Sequence, residues 1–278
     1  MAARIARGDV RGGAPGRAGT RAFDSGPGLV TGWHRHDLHQ LEYAFEGIAE
    51  VETAEARYLL PPRQAIWIPA GVDHNSTLTR VRTVSAFFAP EAGMAAGDRV
   101  RVLAVGPLLR EMLLHARRWP IDRPAVDPAG EVFLAALAGV VEESLDHETP
   151  LRLPTSRHPV VAAAMRFTTE HLADVTLAEM CAAIGASPRS LRRAFAADTG
   201  MTWRRYLLES RLLRAMALLA GPDPTVLAVA TAVGFESASG FTRAFRRYCG
   251  VSPHAYRRRV DTGEGTPMNF PAPPRRIR

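Results

Sequence analysis

The sequence has no lysine, only two cysteines and no long apolar run. Cys181 and Cys249 lie outside any C-x-x-C or Cys/His spacing, which argues against a disulfide framework or a zinc finger and favours a reducing, cytoplasmic compartment. No apolar run approaches the ~20 residues of a membrane-spanning helix, so no membrane partner is expected. Residues 1–22 are rich in Arg and Gly and lack the apolar segment of a secretory signal, so a disordered arm is predicted there.

Arginine is therefore the only permanent cation, and its distribution is uneven. Residues 158–259 contain 14 Arg and 7 Asp or Glu, which gives this segment a net charge of +7. The remaining 21 Arg are balanced by 21 Asp or Glu. A basic segment beside a neutral one favours a nucleic acid as the partner of the basic segment.

The pattern of apolar residues divides the chain into regions and predicts an α+β protein of two domains. Residues 23–100 show short apolar–polar alternations broken by Gly and Pro, which are typical of a small β-sandwich or barrel. Residues 101–150 change to helical periodicity, and their apolar faces must be buried on the strands or on a second subunit, so a homodimer is expected. Residues 151–159 are a Pro-punctuated linker, residues 160–259 are helical throughout, and residues 260–278 are predicted to be a flexible tail.

The helical region contains an internal repeat, in which residues 176–206 align with residues 225–256. Gly185 matches Gly234, and one residue is inserted after the second glycine. The residues that match at a spacing of 50 are Ser187, Arg193, Ala194, Phe195, Gly200 and Tyr206 with Ser237, Arg243, Ala244, Phe245, Gly250 and Tyr256. Each copy predicts a short helix, a Gly-containing turn and a second helix capped by Ser, which is the helix-turn-helix plan.

The second helix of each copy is predicted to bury apolar residues on one face and to present a polar face to solvent. The outward residues are Arg189, Ser190, Arg192 and Arg193 in the first copy and Ser239, Thr242, Arg243 and Arg246 in the second. Arg and hydroxyl side chains suit phosphate contacts and base-edge readout. A connecting helix over residues 203–220 would be roughly 27 Å long, which suits recognition helices in successive major grooves. The alternative is a helical domain with a solvated Arg surface, but the repeat and the segregated charge favour double-stranded DNA.

The stretch WHRHDLHQLEY contains three histidines within six positions. On a strand, His34 and His36 would point to the same side and His39 to the other, since side chains alternate. His74 could approach from another strand, and three imidazoles could hold zinc, nickel or a similar divalent ion. Glu42 lies on the same alternation and could take part if the strand bulges. A hydrogen-bonded polar pocket that holds an effector without metal is the alternative, and both stay open.

The C-terminal hundred residues resemble the DNA-binding domain of AraC/XylS-type transcription regulators, on the motifs YLLESRLLRAMALL and VATAVGFESASGFTRAFRRYCGVSPHAYR. The resemblance implies recognition helices at about 187–198 and 237–248, the first of them starting at the cap Ser187. It implies that the residues nearest the bases are Arg189, Arg192, Arg193, Ala238, Ser239, Thr242 and Arg243.

The N-terminal region resembles the cupin-like sensor domain of many such regulators, which implies a β-barrel or sandwich followed by helices. Gly28, His34, His36 and Gly47 fall in register with one cupin motif, and Pro69, Gly71 and His74 with the other. In cupins the motif histidines and a carboxylate bind a divalent metal. Here Gln40 stands at the carboxylate position, so the resemblance implies a weakened site of His34, His36, Gln40 and His74.

These observations favour a sequence-specific DNA-binding transcription regulator that responds to a small-molecule or metal effector. Its effector pocket is predicted to include Trp33, Gln40, Tyr43 and Trp67, although aromatic residues on strands are more often ordinary core. One alternative is a cupin metalloenzyme, such as an oxygenase or isomerase, with an accessory DNA-binding module. Because the carboxylate is missing and no separate acid/base pair stands out, no enzyme is expected. Another alternative is a constitutive DNA-binding protein whose N-terminal domain serves only dimerisation.

Overall fold

The computed structural model describes residues 3–4, 18–24, 29–92, 97–123, 127–149, 151–221 and 225–262. Two compact units are formed, the first mostly from Met1–Thr149 and the second mostly from Pro150–Arg258. None of the helices in the described part of the chain combines the length and apolar character needed to cross a membrane.

Strands dominate the N-terminal part of the chain and two helices follow them. The strands are β1 (Ala3–Arg4), β2 (Gly19–Asp24), β3 (Leu29–Val30), β4 (His39–Thr53), β5 (Ala56–Leu60), β6 (Gln64–Ile68), β7 (His74–Phe88) and β8 (Arg101–Ala104). The helices are α1 (Pro107–Ala116) and α2 (Pro128–Leu145).

The two long strands β4 and β7 form the frame of the first unit. They pair antiparallel from His39↔Phe88 to Thr53↔His74, with register shifts between Ala44 and Ile48. Such β-bulges bend a strand and increase its twist. On either side of this pair, β2 pairs with β7, β6 pairs with β4, and β8 pairs with β6. The bend therefore gives the strand pair an outer face and an inner face.

The two faces of β4 have different chemistry. Leu41 and Tyr43 lie in a buried cluster with Trp67 and with apolar residues of α1 and α2, including Leu113 and Leu137. The alternate side chains are polar and buried, and they are Gln40 and Glu42 on β4 and Thr83 and Ser85 on β7. Helices therefore cover an apolar outer face, while the inner face carries a polar lining.

The second unit is helical after one short strand, β9 (Arg152–Pro154). Its helices are α3 (Pro159–Glu170), α4 (Leu177–Ala183), α5 (Pro188–Thr199), α6 (Trp203–Leu219), α7 (Val226–Ala232), α8 (Ala238–Cys249) and α9 (Pro253–Thr262). Pairs α4–α5 and α7–α8 are the predicted helix-turn-helix copies, with recognition helices within a residue of their predicted bounds. The two-domain α+β class is confirmed.

The internal repeat is also a repeat of packing. Phe195 and Tyr206 of the first copy meet edge to face, with ring centroids 5.4 Å apart. Phe245 and Tyr256 occupy the equivalent positions and meet in the same way at 5.6 Å. Edge-to-face contact is a preferred geometry for aromatic pairs. The residues that match in sequence thus build the same small core twice.

Some predicted boundaries are wrong. Strand β8 lies at the start of the region predicted as helical from residue 101. Residues 19–22, predicted as part of a disordered arm, pair with β7 in strand β2. Helix α9 extends to Thr262, into the predicted tail from residue 260. The rest of that tail, and most of the arm, lie outside the described residues.

Candidate functional sites: the paired helix-turn-helix surface and the histidine cluster

Local capping sets where the recognition helices begin. The Ser187 hydroxyl accepts a hydrogen bond from the Ser190 amide at 3.1 Å, and Pro188 follows in the first turn. The Ser237 hydroxyl accepts one from the Gly240 amide at 3.2 Å. A Ser at this position satisfies an amide that has no partner inside the helix, so both starts could be found in the sequence.

The exposed faces of both helices match the sequence prediction. In α5, Leu191 and Phe195 are fully buried. All the residues of this copy that were predicted to lie near DNA are exposed, and they are Ser187, Arg189, Ser190, Arg192 and Arg193. Of the residues predicted to lie near DNA in α8, Ser239, Arg243 and Arg246 are exposed, and Ala238 and Thr242 are half-buried. Each recognition helix thus presents Arg and small side chains to solvent over a buried apolar face.

One of these arginines faces a groove inside the second unit. Arg193 and Ser190 line a groove of about 550 Å³ together with Asp198 and with His158 and Val160 at the start of α3. Arg189 and Arg192 do not line this groove. Of the three arginines of the first copy, Arg193 is therefore the one that lines this groove.

Helix α6 separates the two copies. It begins at Trp203, where the Thr202 side chain caps the Arg205 amide, and its 17 residues extend roughly 25 Å. It packs against α5 of the first copy and against α7 and α8 of the second. The connecting helix predicted from the sequence is confirmed, and its length suits two helices in neighbouring major grooves.

The second site is a cluster of three imidazoles in the first unit. His34, His36 and His74 each place a ring nitrogen within 4.8 Å of the others. His74 is fully buried and His36 is nearly so. The rings of His34 and His74 are 4.2 Å apart between centroids, and those of His36 and His74 are 5.1 Å apart.

The backbone brings these residues together in a way that strand alternation did not predict. His34 and His36 lie before β4, not on it. His34 and His74 form an isolated β-bridge with two backbone hydrogen bonds of 2.9 Å. The His36 carbonyl accepts a hydrogen bond from the Gly71 amide at 2.8 Å. Pairing of a loop with the start of β7 therefore produces the cluster.

Each of the three rings is oriented by a backbone carbonyl. Nδ1 of His34 donates to Gly32 at 2.9 Å, Nδ1 of His36 to Leu38 at 2.7 Å, and Nδ1 of His74 to Val72 at 2.9 Å. A carbonyl oxygen can only accept, so the proton of each neutral ring lies on Nδ1 and the lone pair on Nε2. Nε2 of His74 is buried without a hydrogen-bond partner among the described residues. Metal-ligating histidines show the same arrangement, in which the second ring nitrogen donates to a carbonyl.

Gln40 completes the cluster. Its Oε1 lies 2.8 Å from Nε2 of His36, while its Nε2 donates to Ser85 Oγ at 3.0 Å and faces Glu42 at 3.4 Å. The amide orientation that satisfies Ser85 and Glu42 thus turns two acceptors towards each other. A cation beside both acceptors would make this contact favourable, and rotation of the amide is the other way to relieve it.

Burial controls the protonation of these groups. Desolvation lowers the pKa of His74 to about 3 and also lowers the pKa of His36. Both rings are therefore neutral near pH 7, which is the form that binds metal. Desolvation raises the pKa of Glu42 to about 7, against the opposite effect of the hydrogen bond that Ser76 donates at 3.2 Å.

The structure corrects several predicted pocket residues. Tyr43 and Trp67 lie in the core under α1 and α2, on the opposite face of the sheet from Gln40, so their assignment to the pocket is wrong. Trp33 keeps 44% of its surface exposed. The bulges of β4 come after Glu42 and do not bring it into the cluster.

His39 stacks on Trp67 and accepts a hydrogen bond from the Ala70 amide, away from the cluster as predicted. The motif residue Gly28 lies outside the described residues. Sequence reasoning missed Ser76 and Ser85, whose hydroxyls hold Glu42 and Gln40. Their signal was a hydroxyl at an inward position of the long strand β7.

Comparison with known proteins agrees with the helical geometry. Residues 180–259 match a family model described as a helix-turn-helix domain. The HTH-type transcriptional regulator NimR of Escherichia coli strain K12 is 26% identical over 236 residues, which are 84% of this chain and 85% of that protein. The MmsAB operon regulatory protein of Pseudomonas aeruginosa is 27% identical over 249 residues, 83% of this chain and 78% of that protein. The HTH-type transcriptional regulator RipA of Corynebacterium glutamicum is 30% identical over 203 residues, 69% of this chain and 60% of that protein.

The matches to transcription regulators cover the strand-rich region as well as the helical one, since the first two span more than four fifths of the chain. The helical region carries two capped helix-turn-helix copies at the ends of one connecting helix. The chain is thus similar over most of its length to DNA-binding transcription regulators, and its helical region is similar to the DNA-binding domain of the AraC/XylS type.

Proposed function

We propose that this regulator responds to an effector held at the histidine cluster, and that a divalent transition metal such as zinc or nickel occupies the cluster. The observation that carries the proposal is the set of three imidazoles whose Nδ1 atoms all lie at hydrogen-bond distance from carbonyls, which leaves Nε2 of each ring as a possible ligand, with one ring nitrogen of each within 4.8 Å of the others. A bound ion would supply a Lewis-acidic centre for coordinating an effector or would itself be the effector.

The donor set fits such an ion. Three neutral imidazoles and the Gln40 oxygen make four donors, and imidazole suits zinc, nickel and copper. At a tetrahedral ion, two Zn–N bonds of ~2.1 Å hold their nitrogens ~3.4 Å apart, so ring nitrogens that lie within 4.8 Å of one another would close by up to about 1.4 Å on binding. All four donors are uncharged, which should make binding weaker than at a site with a coordinating carboxylate.

We propose that the exposed faces of α5 and α8 contact DNA. The residues assigned to base-edge contacts are Arg189, Arg192, Arg193, Ala238, Ser239, Thr242 and Arg243. Contacts to the phosphate backbone are assigned to Ser187, Ser190 and Arg246. This assignment is supported because all of them except the half-buried Ala238 and Thr242 are exposed, over a buried face of Leu191, Phe195, Phe241 and Phe245. Arg can grip guanine through two hydrogen bonds, which gives sequence specificity.

Regulation would follow from a shift between two populated arrangements, of which the effector binds one more tightly. A homodimer formed through α1 and α2 is part of this proposal, because Leu108 and Val132 are apolar yet 64% and 73% exposed. A regulator that reads chromosomal DNA would act in the cytoplasm.

Elemental analysis of the purified full-length protein tests the metal assignment. After incubation with zinc or nickel and gel filtration, about one equivalent per chain should remain on the wild type and on His39→Ala, whose ring lies in the same stretch but outside the cluster. His74→Ala should lose the ion, with circular dichroism as the check on folding. A metal-free wild type, or equal loading of His74→Ala, would leave the cluster as a polar pocket only.

The coupling to DNA has its own test. A duplex enriched by the wild-type protein from a random-sequence library serves as the probe in a gel-shift assay with and without a chelator. A coupling of 1–3 kcal/mol would change the affinity by roughly 5- to 150-fold. Unchanged affinity in a protein shown to carry the ion would favour constitutive DNA binding.

A further inference from the structure

The two turn glycines are equivalent in the repeat, but their surroundings differ. Both have positive φ, +65° at Gly185 and +81° at Gly234, which L side chains rarely adopt. A Cβ added at Gly185 would meet nothing within 4 Å. A Cβ added at Gly234 would lie 2.0 Å from the carbonyl oxygen of Ala173 and 2.6 Å from Nη2 of Arg211. Of the two turns, the second alone is pressed against another part of the domain among the described residues.

That other part belongs to the first half of the domain. Ala173 lies in the loop between α3 and α4, and this loop is closed by hydrogen bonds from the amides of Asp174 and Val175 to the His171 carbonyl. The turn of the second copy therefore rests directly on the backbone of the first half.

Arg211 of α6 binds the same loop between α3 and α4. Its Nε donates to the Leu172 carbonyl and its Nη2 to the Ala173 carbonyl, both at 3.0 Å. Two donors of one planar guanidinium on two successive carbonyls define an orientation as well as a distance. Two turns earlier in α6, Trp203 Nε1 donates to the buried Thr168 hydroxyl of α3 at 2.9 Å. Helix α6 is thus attached to the first half at two separate places.

We propose that Arg211, Gly234 and the carbonyls of Leu172 and Ala173 form a junction that sets the angle and separation of the two recognition helices. Helix α8 begins four residues after Gly234, so the placement of this turn decides where α8 points. Arg211 and Gly234 are positioning residues in this role, and they need not touch DNA. The proposal rests on DNA binding by the family and not on the effector site.

The physical consequence concerns spacing along the DNA. When one helix is bound, a rigid junction presents the other at a fixed position, so the second contact forms without a further orientational search. Inserting one base pair rotates the second site by about 34° and moves it by about 3.4 Å, since a turn of ~10.5 base pairs spans ~34–36 Å. A protein with a rigid junction should bind such a duplex poorly. A protein with a loosened junction should discriminate less between the parent spacing and the altered spacing.

The test uses the full-length protein and three sets of duplexes. The parent duplex is enriched by the wild type from a random-sequence library, and footprinting defines its two contacted segments. Derivatives carry one base pair added or removed between the segments, or one segment scrambled. Affinities are measured by gel shift at fixed salt.

Gly234→Ala and Gly185→Ala form a matched pair, because both place Ala at positive φ and only the first disturbs the junction. We expect Gly185→Ala to retain the preference for the parent spacing. We expect Gly234→Ala to lose at least tenfold on the parent duplex, little on duplexes with a scrambled segment, and most of the preference between spacings. Equal loss in both variants, or equal loss on all duplexes, would assign the effect to local turn damage and overturn the proposal.

Arg211→Lys provides a second measurement that leaves the backbone of the turn unchanged. It keeps the charge but replaces the planar fork by a single ammonium, and Arg214→Lys on the exposed side of α6 is its control. We expect a weaker spacing preference for Arg211→Lys and wild-type behaviour for Arg214→Lys. If Gly234→Ala fails to fold, this pair decides the outcome, and a wild-type spacing preference in Arg211→Lys refutes the junction.

Discussion

The two helix-turn-helix copies share a core and differ on their surfaces. In both, a capping Ser, a left-handed turn glycine and an edge-to-face Phe–Tyr pair occupy equivalent positions. On the outer face, Arg189 and Arg192 of the first copy are replaced by Ser239 and Thr242 in the second. The repeat has thus kept the residues that fold the motif and changed those available to DNA.

The turns differ in a second respect. The first turn is open, whereas the second is packed against the rest of the domain. Two turns with the same local sequence signals thus make different tertiary contacts. Four sets of substitutions at equivalent positions can break or sharpen this comparison.

The largest effect is expected in the shared core. Phe195 and Phe245 are fully buried, so replacing either by Ala should destabilise its own copy by about 3–5 kcal/mol. Native-state hydrogen exchange of the α5 and α8 amides measures each copy separately. A loss in one copy that is several kcal/mol smaller than in the other would show that the two cores are not equivalent.

The second largest effect is expected on the affinity for DNA. Arg192→Ala and Arg243→Ala should each weaken binding to the enriched duplex by about 1–3 kcal/mol, that is, roughly 5- to 150-fold. Thr242→Ala, at the position equivalent to Arg192, should cost less because no charge is removed. Gel shifts at fixed salt compare them with Arg99→Ala, which removes one positive charge from the first unit. Full retention of affinity by Arg192→Ala would remove α5 from the readout.

A smaller effect is expected at the caps. Ser187→Ala and Ser237→Ala each leave one amide at a helix start without its hydroxyl partner, which costs about 1 kcal/mol. The Ser187 and Ser190 hydroxyls are also 2.9 Å apart. Hydrogen exchange of the first-turn amides measures the cost, and Ser→Gly variants should recover most of it because Gly is tolerated at this position.

The smallest effect concerns the first helix of each copy. Helix α4 begins with a capping box, in which Thr176 and Glu179 exchange hydrogen bonds, whereas α7 has only the Thr225 cap and Ala228 at the equivalent position. Glu179→Ala should cost about 0.3–1 kcal/mol, and Ala228→Glu should recreate the box and stabilise α7 by a similar amount. Thermal unfolding of both variants provides the check, and a destabilising Ala228→Glu would contradict the equivalence.

Sequence reasoning succeeded where the relevant signals are local. The caps Ser187 and Ser237 and the glycines after each first helix marked where both second helices begin, because each signal acts within one turn of the chain. The histidine cluster was found with the wrong geometry. Strand alternation from His34 to His36 was expected to align the rings, but the alignment comes from a loop paired with the start of β7.

The lining of the predicted pocket shows most directly what could not be predicted from the sequence. Tyr43 and Gln40 are three residues apart on one strand and could be placed on opposite faces from the sequence. Which face the helices cover is a property of how α1 and α2 pack, and this packing buries Tyr43 and Trp67 under the helices and leaves Gln40 in the polar interior. No local pattern around Tyr43 carries that information.

By itself, the sequence determined the paired helix-turn-helix plan, the basic character of the helical region and the presence of three histidines in cupin-like spacing. Those features depend on periodicity, capping and composition, which act over a few residues. The tertiary structure alone decided that His34, His36 and His74 converge with Gln40, and that Gly234 lies against Ala173 while no described residue lies within 4 Å of the equivalent position at Gly185. His34 and His36 are 40 and 38 residues from His74, and Gly234 is 61 residues from Ala173, so only packing of each unit brings them together.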